Sequence, residues 1–287
     1  MSLDVRSASY GKAGVRLCRT IRPADGHDRE PSVVPVEIDV DLGGSAFVAS
    51  YTDGDNTSVV ATDSMRNLIV AAACASADWT LEPLLHDIAR RFADEYPQVE
   101  RVRIAGRRPL LDSVGTKGRP LFRRWESRAA LAEMAFTSAG MLPEAMTLVS
   151  GVTGLRLLRL GGSSFVGFVR DRYTTLAEDS DRDLFVDLDV RWRAQQVRDL
   201  IEAPVVGEAV EAAVEDVTSG FDSRSIQHLL HEVGRVLMER FPLFAELSLT
   251  GRNCGWSPVR TSCDDTSRIY VEPPDMQGVI NLDLTRS

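Results

Sequence analysis

Apolar residues along the chain follow two periods, one of two residues and one of three to four. Residues 7–20 alternate towards Val15, Leu17 and Cys18, which predicts a strand. Residues 33–51 carry Val36, Ile38 and Val40 on one face and Gly43-Gly44 at a turn, and predict a hairpin. Ala61-Thr62-Asp63-Ser64 then offers an N-cap-like opening to a helix bearing Met65, Leu68 and Ile69. Residues 79–96 place Leu81, Leu84, Leu85, Ile88 and Phe92 at helical spacing. Tyr96-Pro97 stops that helix, and a strand follows through Val99, Val102 and Ile104. Further strands are predicted at 128–138, 143–150, 152–160 and 183–194, and helices at 207–217 and 224–241.

The pattern repeats. Residues 84–107 (LLHDIARRFADEYPQVERVRIAGR) align without gaps to 229–252 (LLHEVGRVLMERFPLFAELSLTGR), sharing Leu-Leu-His, an Arg, an aromatic-Pro helix stop and a closing Gly-Arg. A helix-stop-strand unit recurring about half a chain later argues for two similar modules, 1–140 and 141–287. Each half reads as two strands, helical material and two more strands. That is an α+β design of antiparallel sheets with helices on one face.

Composition narrows the function classes. The 287 residues carry a net charge of −9, which disfavours a general nucleic-acid or acidic-membrane surface. No apolar run approaches a membrane span, the N-terminus lacks a signal-peptide core, and the four cysteines have no CxxC spacing. A cytoplasmic protein with reduced thiols, and neither zinc nor disulfides, is expected. P-loop, GxGxxG and GxSxG motifs are absent. His86 and His231 fall at matching places in the repeat, which suggests packing or capping. Of 33 basic residues only Lys12 and Lys117 are lysines. An Arg keeps its proton near neutral pH whereas a Lys can be tuned to act as a base. Lys117 lies in an evident turn; Lys12 enters the first alternating segment.

Ser163 to Arg182 (SSFVGFVRDRYTTLAEDSDR) gathers an aromatic face at Phe165, a tight Gly167-Phe168 pair, a polar run and Asp181-Arg182. A flat anionic heterocycle needs a ring to lie against and a planar guanidinium that meets it edge-on. The same residues also suit a strand, a turn and a surface ion pair.

In combination, Tyr10-Gly11-Lys12, residues 59–67 (VVATDSMRN), Ser150-Gly151-Val152, residues 164–168 (SFVGF), residues 170–176 (RDRYTTL), Asp181-Arg182, Ser225-Ile226-Gln227 and Gly251-Arg252-Asn253 resemble urate oxidase. The resemblance runs from about residue 8 to the end and is weakest at 110–145. It implies tandem tunnelling-fold (T-fold) modules in a barrel-like homotetramer, and cofactor-free oxidation of urate by O2 to 5-hydroxyisourate and hydrogen peroxide. By the same resemblance Phe165 stacks on the purine and Arg182 grips its pyrimidine edge. Gln227 clamps the opposite edge, and Ile226 lends its backbone N–H. Asn253 faces the ring at the oxygen or water position. Thr62 and the backbone of Asp63 reach the imidazole side from a neighbouring subunit, with Lys12 activating Thr62.

One departure stands out. The family's relay histidine lies two residues after the Asn, where this chain has Gly255, and a His-rich stretch of the first half is replaced by residues 128–134 (RAALAEM). The readings that follow are a urate oxidase whose relay uses water, an oxidase or hydroxylase of another purine-like heterocycle, and a non-catalytic purine binder. Retention of Lys12 and Thr62 argues against the last.

Overall fold

The computed structural model describes residues 5–22, 31–115, 120–137, 144–254, 256–259, 269–271 and 277–286. Lys117, Gly255 and Cys263, singled out from the sequence, lie outside the described residues. In chain order the elements are β1 (Ser9–Ile21), β2 (Ser32–Gly43), a 3-10 turn (Ser45–Phe47) running into α1 (Val48–Thr52), α2 (Thr62–Ala75), α3 (Leu81–Glu95), β3 (Arg101–Ser113), β4 (Phe122–Thr137), β5 (Glu144–Phe165) and β6 (Asp179–Ala194). There follow α4 (Val197–Glu202), α5 (Gly207–Gly220), α6 (Ile226–Arg240), β7 (Phe244–Asn253), β8 (Ser257–Val259), β9 (Ile269–Val271) and β10 (Gly278–Thr285).

The chain divides into two units, Met1–Gly151 with Arg193–Val206, and Val152–Trp192 with Gly207–Ser287. In the first, strands run in the order β1-β2-β3-β4 and α2 and α3 pack on one face. Val36, Ile38, Val40 and Leu42 of β2 and Val102 and Ile104 of β3 meet Leu84, Leu85, Ile88 and Phe92 of α3 in its core. In the second, the order is β5-β6-β7-β10, and α6 packs on β7 and β10. Both units are therefore antiparallel sheet with helices, the α+β class read from the alternation.

Two sequence expectations are corrected. Residues 33–51 do not form a hairpin: β2 stops at Gly43 and the chain enters the Ser45–Thr52 helical segment, while β2 pairs with β1 and β3. Gly44 permits this by passing close to the Gln98 carbonyl, and Glu100 accepts from the backbone and hydroxyl of Ser45. Residues 143–150 and 152–160 are one 22-residue strand. The apparent break is a local irregularity at Gly154, whose φ is 71° and whose N–H donates to Asp189 Oδ1 at 2.8 Å.

That irregularity has a twin, and the twin positions Lys12. In β1, Lys12 stands opposite Val40 and Val15 opposite Ile38, so β1 carries one extra residue. Gly14 takes the left-handed conformation (φ 70°) and donates to Asp39 Oδ1 at 2.6 Å. In an unbroken strand residues three apart face opposite sides; the bulge turns Lys12 to the side of Tyr10 and Val15, which carries the helices. Arg16 pairs with Glu37 at 3.0 Å in the first unit, as Arg156 pairs with Asp187 at 3.0 Å in the second. Duplication thus extends beyond the helix-stop-strand repeat to residues 11–17 and 151–157. The counterpart of Lys12 is Val152, wholly buried.

A second shared device sets the helix height. A Cβ on Gly106 would lie 3.0 Å from Leu81 of α3, and one on Gly251 would lie 3.2 Å from Ile226 of α6. Only glycine lets each helix settle its first turn so close to the strand. At the position matching Gln227, the first unit carries Glu82, 4 % exposed, whose carboxylate accepts from Ser150 Oγ at 2.6 Å. Burial pushes the Glu82 pKa up, against the opposing pull of that hydrogen bond. A folded-state pKa above the unfolded value means stability that is held at low pH and lost as pH rises through the raised pKa. Glu82→Gln is therefore expected to flatten the decline of melting temperature from pH 5 to 9, which parallel thermal melts of the two proteins would measure.

Candidate active site

In the second unit the far end of the helix-bearing face collects the residues predicted to hold a ring. β6 alternates with Leu184, Val186, Leu188 and Val190 buried inward, and Arg182 extends that row. Its guanidinium carbon lies 5.6 Å from the centroid of Phe165 at the end of β5. Phe168 stacks on Phe165 at 4.9 Å with 12° between the ring planes. Arg182 Nε is buried with no hydrogen-bond partner among the described residues, and burial lowers the pKa of the guanidinium. An Arg held half-buried and unpaired is costly, and an anion in the plane of the fork would relieve that cost.

Arg182 is attracted by the carboxylate of Asp179 rather than by the two that flank it. Its neighbours Asp181 and Asp183 are occupied elsewhere: Asp181 Oδ1 accepts from Gly162 N at 2.7 Å and Asp183 Oδ1 from Gly161 N at 3.0 Å. Both glycines are left-handed, with φ of 67° and 66°, so β5 turns a corner just before Phe165. The corner also meets the loop before α6. Ser164 N donates to the Ser223 carbonyl at 2.8 Å and Ser223 N to the Gly162 carbonyl at 3.0 Å. Two residues later Ser225 caps α6, its hydroxyl accepting from His228 N at 3.1 Å. That cap leaves the first-turn N–H groups of Ile226 and Gln227 without intrahelical acceptors, at the positive end of the helix dipole. Gln227 is exposed and Ile226 buried. Asn253 ends β7 in the row of Leu247, Leu249 and Gly251, and Cys254 N fastens the strand end to the Phe185 carbonyl of β6 at 3.1 Å.

Lys12, Thr62 and Asp63 belong to the first unit. Tyr10, on the same side of β1 as Lys12, packs its ring on Phe47 at 5.0 Å and accepts from Val60 N, which fixes the entry to α2. Thr62 and Asp63 then form the first turn of α2 and are exposed. Ala61 caps α2 without a side-chain hydrogen bond, so its leading N–H groups are also open to a ligand. Sequence reasoning thus divides into two sets, five residues in one unit and three in the other. A cavity of about 600 Å³ in the first unit is lined by Lys12 together with Asp39, Asp41, Arg103, Glu133 and Arg193, and includes none of the ring-binding set. His86 packs against Phe136, as the repeat suggested for it, and His231 is exposed. Phe168 and the Gly161-Gly162 corner were not assigned roles from sequence; the adjacent glycines ahead of an aromatic were the available signal.

Comparison with known proteins shows the family. The family signature described as Uricase matches residues 8–108 and 148–281. The chain belongs to the uricase family. The unmatched gap, 109–147, coincides with the stretch where the motif resemblance was weakest. The chain is 32 % identical over 97 % of its length to a uricase of Haloferax volcanii, spanning 98 % of that protein. It is 31 % identical to the uric acid degradation bifunctional protein PucL of Bacillus subtilis, over 98 % of this chain but only 61 % of that longer protein. Among solved structures, a hyperthermostable mutant of Bacillus sp. TB-90 urate oxidase matches with a TM-score of 0.87 at 29 % identity, over 98 % of this chain and all of that one. The Arthrobacter globiformis uricase matches with 0.81 at 26 % identity, covering all of this chain and 96 % of its own.

If Arg182 is the anion anchor, a lysine cannot replace it, because a point charge does not reproduce a planar two-donor contact. Arg182→Lys is expected to weaken binding of a planar purine anion by about 1.5–3 kcal/mol, the worth of one charge-assisted hydrogen bond. Equilibrium titration of xanthine would measure it, and unchanged affinity would make Arg182 structural.

Proposed function

We propose that the chain is a urate oxidase that uses O2 directly, converting urate, O2 and water to 5-hydroxyisourate and hydrogen peroxide. The observation that carries the reading is Arg182, a half-buried guanidinium lying over the Phe165 ring with its Nε unmet among the described residues. Urate fits those two demands at once, being flat enough to stack and anionic enough to pair. Family membership, with full-length relatives named uricase, favours urate over another heterocycle and over a silent binder. The carry-over of individual roles rests on the motif matches given above.

In this reading Phe165 supports the ring, Arg182 takes the carbonyl and ring nitrogen of one edge, and Gln227 with the Ile226 N–H takes the other. Two helix N-termini face the substrate, that of α6 and that of α2 with Thr62 and the backbone of Asp63. Oriented N–H dipoles there stabilise the dianion that forms when Lys12, through Thr62, removes a proton. Ground-state O2 is a triplet and reacts slowly with closed-shell molecules unless they are electron-rich. Deprotonation raises the electron density of urate until it can donate an electron without flavin or metal. The oxygen of water adds at the oxidised ring carbon, and O2 leaves with two electrons and two protons as peroxide. Asn253 holds the position above the ring that O2 and water occupy in turn. By the motif resemblance Thr62 and Lys12 come from a neighbouring copy of the chain, so in this reading the site is completed between copies in a homotetramer.

Loss of urate absorbance with uptake of one O2 per urate tests the reaction; no oxygen uptake by the native chain refutes it. Lys12→Met is expected to cut turnover by about 10²–10⁴, the usual share of general acid–base catalysis, while xanthine still binds. Full activity in a species that light scattering shows to be monomeric would defeat the shared site. Activity abolished by a chelator and restored by copper or iron would defeat the cofactor-free course.

A further inference from the structure

Arg159 lies on β5 six residues before Phe165, and none of the roles above uses it. Its side chain is only 15 % exposed, and it donates to four acceptors on two segments. Nη1 reaches the Thr218 carbonyl at 2.9 Å and the Phe221 carbonyl at 2.5 Å; Nη2 reaches the Gly162 carbonyl at 3.2 Å and Asp222 Oδ1 at 2.7 Å. Thr218 lies in the last turn of α5 and Phe221 directly follows it, so their carbonyls lie at the negative pole of a helix, where a cation is favoured. The guanidinium therefore fastens the end of α5 and the loop leading into α6 to the glycine corner of β5. No side chain fits at Gly162, since an added Cβ would fall within the Arg159 guanidinium.

These contacts join the two halves of the ring-binding set. On one side of the joint Gly162 is followed by Phe165. On the other, Asp222 and Ser223 are followed by the Ser225 cap, Ile226 and Gln227. Buried Ser163 and Ser223 touch hydroxyl to hydroxyl at 3.3 Å between them. We infer that Arg159 is a positioning residue that sets the separation between the stacking ring of Phe165 and the edge clamp of Ile226 and Gln227. This rests on the assignment of those three residues to the purine. Five donors in a rigid fork suit the task, because no other side chain reaches four acceptors in fixed directions. A shift of about an ångström in the clamp would cost affinity for the ring ahead of the chemistry performed by the other unit.

The test is a comparison of the native chain with Arg159→Met and Arg159→Lys, using urate turnover and equilibrium binding of xanthine. Arg159→Met is expected to raise KM for urate and Kd for xanthine by at least tenfold, with kcat changed less than threefold. Arg159→Lys, which keeps a charged donor beside Asp222, is expected to recover part of that affinity. A purely structural role would lower the melting temperature while leaving KM and Kd alone at 25 °C. Native affinity in folded Arg159→Met, at any melting temperature, would overturn the inference, as would a fall in kcat with KM and Kd intact. Should Arg159→Met not fold, Arg159→Gln takes its place with the same two outcomes. Failure of the native chain to bind xanthine or urate would instead remove the function reading beneath it.

Discussion

A guanidinium cannot discard its proton near neutral pH, so a half-buried Arg must find a negative partner or remain at a cost to the fold. Among the described residues Arg182 has its Nε without a hydrogen-bond partner, and Asp179 is the charge that attracts its guanidinium. The adjacent carboxylates Asp181 and Asp183, the natural candidates to neutralise it, are drawn off to the backbone N–H groups of Gly162 and Gly161. The same two hydrogen bonds hold the β5 corner that delivers Phe165. The placement of the Phe165 ring and of the guanidinium over it thus depends on one set of contacts.

The two units share a skeleton and differ in chemistry. Each has a strand irregularity stitched by a Gly–Asp contact, an Arg–carboxylate pair across its first two strands, and a strand glycine that admits the helix. On this common frame Lys12 stands where the second unit has buried Val152, and Gln227 stands where the first has buried Glu82. Each unit has therefore buried a position that the other leaves at least partly exposed. Glu82 held by Ser150 satisfies its own polar group internally, whereas Gln227 is left exposed at a helix N-terminus.

Such a division makes the bulge at Gly14 as consequential as the lysine itself. Without the extra residue Lys12 and Val15 would face opposite sides of the sheet. A backbone feature of one residue thus sets which face of β1 Lys12 shares with Val15.

The sequence by itself determined the α+β class, α3 and α6 to within a residue or two, and the motifs, from Lys12 to Asn253, that mark the family. These depend on local period and on residue type, which are written along the chain. It misjudged residues 33–51, because a Gly-Gly pair marks a turn without saying what the turn leads to; the Gln98 carbonyl and Glu100, some fifty residues away, decided that. It split β5 at Gly154 because a bulge and a strand end look alike until Asp189 arrives from another strand. It left open whether Arg182 was an ion-pair partner or an anchor, since Asp181 and Asp183 flank it in sequence. Only the tertiary structure showed those carboxylates turned to the glycine corner and Arg182 laid over Phe165, because hydrogen bonds between distant strands, not neighbours in the chain, determine which charges remain unpaired.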